Sequence, residues 1–297
     1  MINKLAIIGI GLIGGSLARA LRRAGHVKEV VGFGRNLNNL KLAVDLGVVD
    51  HAEVNLAAAI EDADMIVLAV PVGAMTEVFS RLAGRITRET VVTDVGSVKT
   101  SVVAMAREAL GAEEFSRFVP GHPIAGTEQS GVAASREDLF QNHQIILSPE
   151  PDTDPGALET VRAMWEAAGA TVRLIDAPQH DIVLAASSHL PHVLAYALVD
   201  MLVRRDDHRE IFDLAAGGFR DFTRIASSDP TMWRDICVAN REPLLKLLQN
   251  FSDDLGEVMA AIEAGNGEWL MNTFERARHA RETYVKPAPS DSPDSVE

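Results

Sequence analysis

The sequence predicts an α/β fold: an N-terminal Rossmann-type doubly wound parallel sheet followed by an all-helical domain. Three observations carry this reading. Gly9, Gly11 and Gly14 form G-x-G-x-x-G between an apolar run and a helical pattern. Continuous apolar strands then alternate with helical stretches to about Ile175, as in parallel sheets covered on both faces. From Asp181 to about Tyr284 no strand pattern is evident, and long helical patterns replace it.

The elements follow in order. "KLAIIGIGLIGGSLARALRRAG" reads as a strand, a glycine-rich turn and an amphipathic helix ending near Gly25. "EVVGFG" is the second strand, and "ADMIVLAVP" and "TVVTDVG" are further apolar strands. "FVPGHP" and "HQIILSP" are predicted to add strands near the far edge, and "ALETVRAMWEAAGATVRLI" one more helix and strand. "DIVLAASSHLPHVLAYALVDMLV" is apolar nearly all round, which suits a helix in a core or a subunit interface. The predicted domains are 1–175 (dinucleotide binding) and 176–285 (helical). The Pro/Ser/Asp-rich tail, 286–297, is expected to be disordered.

Composition narrows the partners. At 297 residues, 47% hydrophobic and 24% charged, the chain suits two globular domains. A net charge of -14 argues against nucleic acid or an anionic membrane surface, because phosphate-binding faces need clustered cations. A single cysteine, Cys237, excludes an internal disulfide and fits a reducing cytoplasm. The apolar start imitates a signal peptide, but four glycines after the strand argue against that reading. No run is expected to be long enough to cross a bilayer.

Two sets of residues suggest chemistry. Gly9, Gly11, Leu12, Ile13 and Gly14 form a phosphate cradle at a helix start, with Gly15 and Ser16 keeping that start small. Gly34 ends the second strand where an acidic residue would select NAD+, and Arg35 next to it suits a 2'-phosphate or an adenine stack. The cofactor is therefore NAD+ or NADP+, with Val70 and Pro71 completing the cradle after a later strand. Ser97, in "TDVGSVK", lies at the carboxyl edge of the sheet; it suits a bond to nicotinamide or substrate, or an N-cap for the next helix.

His122 sits in "RFVPGHPIAGTEQSG", held by Gly121 and Pro123 in what reads as a rigid loop aiming one imidazole. His189 and His192 share a face of a helix that Pro191 bends, as core or pocket histidines. They lack a third ligand at suitable spacing, so no metal is expected. Arg224 suits a bidentate clamp on a carboxylate, or an ordinary surface pair with Asp221.

"GLIGGS", "TDVGSVK", "GHPIAGTEQSG", "SSHLPH", "GGFRDFTRIA" and "SDPTMWRDI", in this order, resemble the successive motifs of prephenate/arogenate (cyclohexadienyl) dehydrogenases, from about Ile7 to about Tyr284. The resemblance implies oxidative decarboxylation of a small dianionic substrate, on the way to tyrosine, by a homodimer joined through its helical domains. It makes His122 the group that takes the proton from the ring 4-hydroxyl, with Ser97 beside that hydroxyl and the nicotinamide. It places Thr127 and His192 in the substrate pocket, Arg224 on a substrate carboxylate and Trp233 in the pocket wall, with Asp221 orienting its neighbours. His189 belongs with this substrate group. The departure is Gly34, where many members carry an acid.

Two other classes fit the fold. One is a 3-hydroxyacid dehydrogenase or imine reductase, and the other a dinucleotide-binding sensor without turnover. With His122 as base, kcat is predicted to rise with pH through one ionisation near the free imidazole value of about 6.5.

Overall fold

The computed structural model describes residues 1–285; the tail expected to be disordered, 286–297, lies outside the described residues. The first half is a βα alternation. It runs β1 (Ile2–Ile8), α1 (Leu12–Arg23), β2 (Val27–Phe33), α2 (Leu37–Asp45), β3 (His51–Glu53), α3 (Leu56–Ile60), β4 (Met65–Leu68), α4 (Val72–Leu82), β5 (Val91–Asp94), α5 (Thr100–Ala109), α6 (Ala112–Ser116) and β6 (Phe118–Val119). The six strands pair in parallel in the order β3-β2-β1-β4-β5-β6. Every residue of β4 and β5 is buried, which is why both read as unbroken apolar runs. The strand order reverses between β1 and β4, and the crevice beyond their carboxyl ends is where such sheets hold ligands.

The sequence expectation needs one correction after β6. "FVPGHP" is not one strand of the main sheet. β7 (Gly121–Pro123), β8 (Gln144–Leu147) and β9 (Thr171–Leu174) form a separate three-stranded sheet, with α7 (Pro155–Ala167) between β8 and β9. β7 runs antiparallel to β8, and His122 pairs with Ile146. Pro120 causes the break: it has no N–H for the ladder, and its carbonyl instead accepts from Ser148 N at 2.9 Å. His122 therefore rides on a strand, not on a loop.

Beyond β9 the described chain is helical: α8 (Ala177–Leu184), α9 (Leu190–Val203), α10 (His208–Asp213), α11 (Gly217–Thr223), α12 (Pro230–Ala239), α13 (Arg241–Glu263) and α14 (Gly267–Tyr284). α8 and α9 are joined by a π-helical turn, Ala185–His189, that widens the helix just before Pro191 in the first turn of α9. Contrary to the sequence expectation, the continuous stretch Ala177–Val203 has the length and mean hydropathy (1.6) of a membrane span. Its polar side chains nonetheless engage protein groups: Asp181 accepts from the amides of Lys99 and Thr100.

Spatially the chain divides within α13 into two compact units, Met1–Leu244 and the residues from Leu245 onward. The first unit includes α8 to α12 because side chains bind them to the sheet domain, as with Asp181 above and with Asp235, which accepts from Gly73 N. In the second unit, Asn266 caps α14 by accepting from Trp269 N. Leu255, Met259, Ile262, Met271 and Phe274 are all exposed there.

Candidate active site

The dinucleotide cradle is made of backbone. Gly9 has φ +102°, and a Cβ there would stand 2.5 Å from the Ala69 carbonyl oxygen; one on Gly14 would stand 2.4 Å from the Gly9 oxygen. These two glycines let β1, α1 and the end of β4 pack together. Gly11 differs, because its Cβ position faces open space, and no side chain caps α1 behind it. A helix start with uncapped amides, no acidic residue in its first turn and room in front of it fits a pyrophosphate.

A cavity of about 210 Å³ opens beside this turn. Of the predicted cofactor residues, Gly9, Gly11, Gly34, Arg35, Val70 and Pro71 line it, together with Arg81 and Glu77. Leu12 and Ile13 instead pack partly on the core, and Gly14 is buried in the helix–strand contact. No carboxylate ends β2. Asn36 is committed to capping α2, Arg81 lies over the Phe33 ring at 5.4 Å, and Glu77, the one acid lining the cavity, pairs with Arg81 at 3.7 Å.

The second half of the site is built from side chains. His122 is 8% exposed, and its Nδ1 lies 2.9 Å from Nε2 of His180. Nδ1 of His180 lies 2.8 Å from Oδ1 of Asp181, which also accepts from Lys99 N at 2.7 Å; Oδ2 accepts from Thr100 N at 2.9 Å. The start of α5 is thus capped from α8. This corrects the N-cap reading of Ser97, which precedes the helix and leaves Lys99 as N-cap.

Lys99 is fully buried, paired with Asp94, and donates to the Gly121 carbonyl at 2.7 Å. Asp94 in turn accepts from the amides of Gly96 and Gly121. The two ion networks therefore bolt β5, the Ser97 loop and β7 together around His122.

Burial sets the protonation of these groups. It drives His122 well below the ordinary imidazole value, and the neighbouring His180, Lys99 and His189 push the same way. His180 is lowered by burial despite Asp181. Burial would raise Asp181, but hydrogen bonds from His180 and from the Lys99 and Thr100 amides outweigh it and hold the carboxyl low. An imidazole so placed is neutral at pH 7, as a general base must be. The expected ionisation near 6.5 is accordingly displaced downward.

The remaining predicted residues divide into inner and outer groups. His189 is buried and pushed down to about 4 by burial. Its Nδ1 accepts from Asn240, and its Nε2 faces the Ser97 backbone without a closed hydrogen bond. His192 stacks on buried Trp233 with ring centroids 3.6 Å apart, and its Nδ1–H donates to the Ser188 carbonyl.

Arg224 is exposed and pairs with Glu128 at 2.9 Å, not with Asp221. Asp221 is exposed and without a hydrogen-bond partner among the described residues, so the structure gives it no orienting contact. Thr127 is exposed too; its hydroxyl accepts from Gln129 N within the Glu128 turn. Sequence reasoning missed His180, Asp181, Lys99, Asn240 and Glu128. Lys99 and Glu128 stood inside quoted motifs, but "PQHD" carries no local signal that it would meet a histidine 58 residues away.

A sheet of this order, a glycine cradle at its switch point and a neutral buried imidazole define a dinucleotide-dependent oxidoreductase. Residues 17–174 match "Prephenate dehydrogenase, nucleotide-binding domain" and residues 176–276 match "Prephenate dehydrogenase, dimerization domain". Cyclohexadienyl dehydrogenase of Zymomonas mobilis is 37% identical over 283 residues, covering 94% of this chain and 95% of that protein.

Among solved structures, prephenate dehydrogenase from A. aeolicus in complex with hydroxyphenyl propionate and NAD+ superposes with TM-score 0.88 and 37% identity, over 95% of this chain and 98% of that one. Synechocystis arogenate dehydrogenase superposes with TM-score 0.77 and 31% identity, over 95% of this chain and all of that one (100%). The chain belongs to the prephenate dehydrogenase family.

Proposed function

We propose that this chain oxidatively decarboxylates prephenate to 4-hydroxyphenylpyruvate, with arogenate as a second substrate, and that His122 is the base. When bound, the dinucleotide accepts the hydride that leaves C4 of the substrate ring. His122 then takes the proton of the 4-hydroxyl on Nε2, which has no hydrogen bond among the described residues. The ketone that forms draws electrons from the ring carboxylate, CO2 leaves, the ring becomes aromatic, and its phenolate oxygen takes the proton back from His122. Aromatisation supplies the driving force, so the protein mainly aligns the ring and removes one proton. Ser97, on the loop after β5, would hold the hydroxyl in place. Arg224 exchanges Glu128 for a substrate carboxylate, and the His192–Trp233 stack forms an apolar wall.

The observation that carries this reading is the burial of His122 on β7, which disfavours its charged form, beside the Ser97 loop at the carboxyl edge of β5. Reduced-nicotinamide absorbance, followed for each substrate with each cofactor, tests it: turnover of either cyclohexadiene supports the reading, and turnover of 3-hydroxyacids alone refutes it.

The cofactor proposed is NADP+ at least as readily as NAD+. Gly34 offers the ribose no carboxylate, Glu77 is neutralised by Arg81, and Arg35 remains to meet a 2'-phosphate. A homodimer through the helical region is proposed as well, supported by exposed apolar residues Met201 and Val203 on α9. Reaction in the cytoplasm completes the proposal.

A further inference from the structure

His122 does not act alone: we infer that Asp181 and His180 hold it in the one tautomer that leaves Nε2 as a proton acceptor and then share the positive charge it acquires. The inference rests on His122 being the base and concerns two residues that act through His122, His180 directly and Asp181 by way of His180, rather than on the substrate.

The direction of each hydrogen bond follows from its far end. Asp181 can only accept, since both its oxygens already receive protons from the Lys99 and Thr100 amides. His180 Nδ1 must therefore donate to it, across 2.8 Å. A neutral His180 then has only a lone pair on Nε2, so the 2.9 Å contact must be a donation from Nδ1–H of His122. A neutral His122 with its proton on Nδ1 presents a lone pair on Nε2. One carboxylate, itself locked by a helix start, thus fixes the orientation of two imidazoles in series.

The alternative tautomer would place two lone pairs, or two protons, against each other in a buried contact. When the substrate hydroxyl gives its proton to Nε2, His122 becomes an imidazolium that still donates through Nδ1 to His180. His180 strengthens its bond to Asp181, and nothing has to reorient. The other charged and titratable groups facing the pair are Lys99 with Asp94 on the β5 side and His189 from the π-helical turn before α9. Lys99 and His189 oppose the charge, whereas Asp181 is, among the described residues, the carboxylate hydrogen-bonded to the chain of imidazoles. His180 and Asp181 are positioning residues by this logic.

The test uses His180→Gln and His180→Phe in the full-length enzyme, with prephenate and its dinucleotide. A Gln amide oxygen can reach the place of Nε2 and still accept from His122, whereas Phe offers nothing. His180→Gln is expected to keep kcat within about 5-fold, and His180→Phe to lose about 10²-fold in kcat with KM unchanged within about 3-fold. Equal losses in the two variants, or less than a 3-fold loss for Phe, overturn the proposal.

Nitrogen-15 shifts of the histidines in the wild-type enzyme give an independent readout if His180→Phe fails to fold. They should show His122 protonated on Nδ1 above the imidazole titration, and protonation on Nε2 refutes the assignment. His122→Asn run alongside separates the two failures: if that variant turns over normally, His122 is not the base, and if it is inactive while His180→Phe is not, only the relay falls.

Discussion

The cradle and the base site lie at the same sheet edge but are built in opposite ways. The cradle is backbone: a few residues between Gly9 and Gly14, adjacent in sequence, shaped by what they lack. The base site is side chain: His122, His180, Asp181, Lys99 and Asp94 come from β7, α8, the α5 start and β5, and each is fixed by a partner distant in sequence. A local site of missing atoms tolerates no addition. A distributed site of hydrogen bonds tolerates no deletion.

The largest expected effect tests the distributed half. His122→Asn should lower kcat by about 10³-fold, the range for loss of a general base, with KM for prephenate nearly unchanged in steady-state assays. A fall in KM affinity without loss of kcat would make it a binding group.

Gly14→Ala tests the local half. Its Cβ would stand 2.4 Å from the Gly9 oxygen, so cofactor KM should rise by about 10²-fold, equivalent to ~2.7 kcal/mol, with loss of Tm from overpacking. Gly11→Ala, facing open space, should leave Tm unchanged and weaken only dinucleotide binding as measured by titration.

Arg224 sits between the two extremes. It is exposed and already paired with Glu128, so Arg224→Ala should raise KM for prephenate about 10- to 30-fold, less than a fully buried clamp would give. Arg35→Ala should have the smallest effect, a reduction of kcat/KM for NADP+ by about 10-fold with that for NAD+ nearly unchanged, because one exposed charge-assisted contact is lost.

Stability should report the same buried imidazoles. His122, His180 and His189 have folded values below the unfolded value of about 6.5, so the unfolded chain binds more protons below that pH. Stability should be full above about pH 6.5 and fall as the pH drops toward the folded values, about 4 for His189, measurable as a declining urea midpoint.

The same contrast explains what the sequence revealed. The cradle was legible because its pattern is short and its context, strand then helix, is local. His122 was legible because Gly121 and Pro123 mark it, yet its setting was misread: Pro120, an expected strand residue, ends β6 and sends His122 onto the second sheet. His180 and Asp181 were not legible, since "PQHD" reads as an ordinary helix start and its meaning arises only when α8 packs on α5. The pairing of Asp221 with Arg224 failed for a related reason, because residues three apart on a helix compete with any acid the fold brings closer, here Glu128.

The most direct measurement is the pH profile of kcat for the wild type beside His122→Asn, from pH 4.5 to 9. A neutral, buried His122 as base predicts a wild-type profile that is flat at neutral pH and falls on a single acid limb lying below 6.5, and a variant profile that is low and without that limb. An acid limb of the same position and height in both would contradict it.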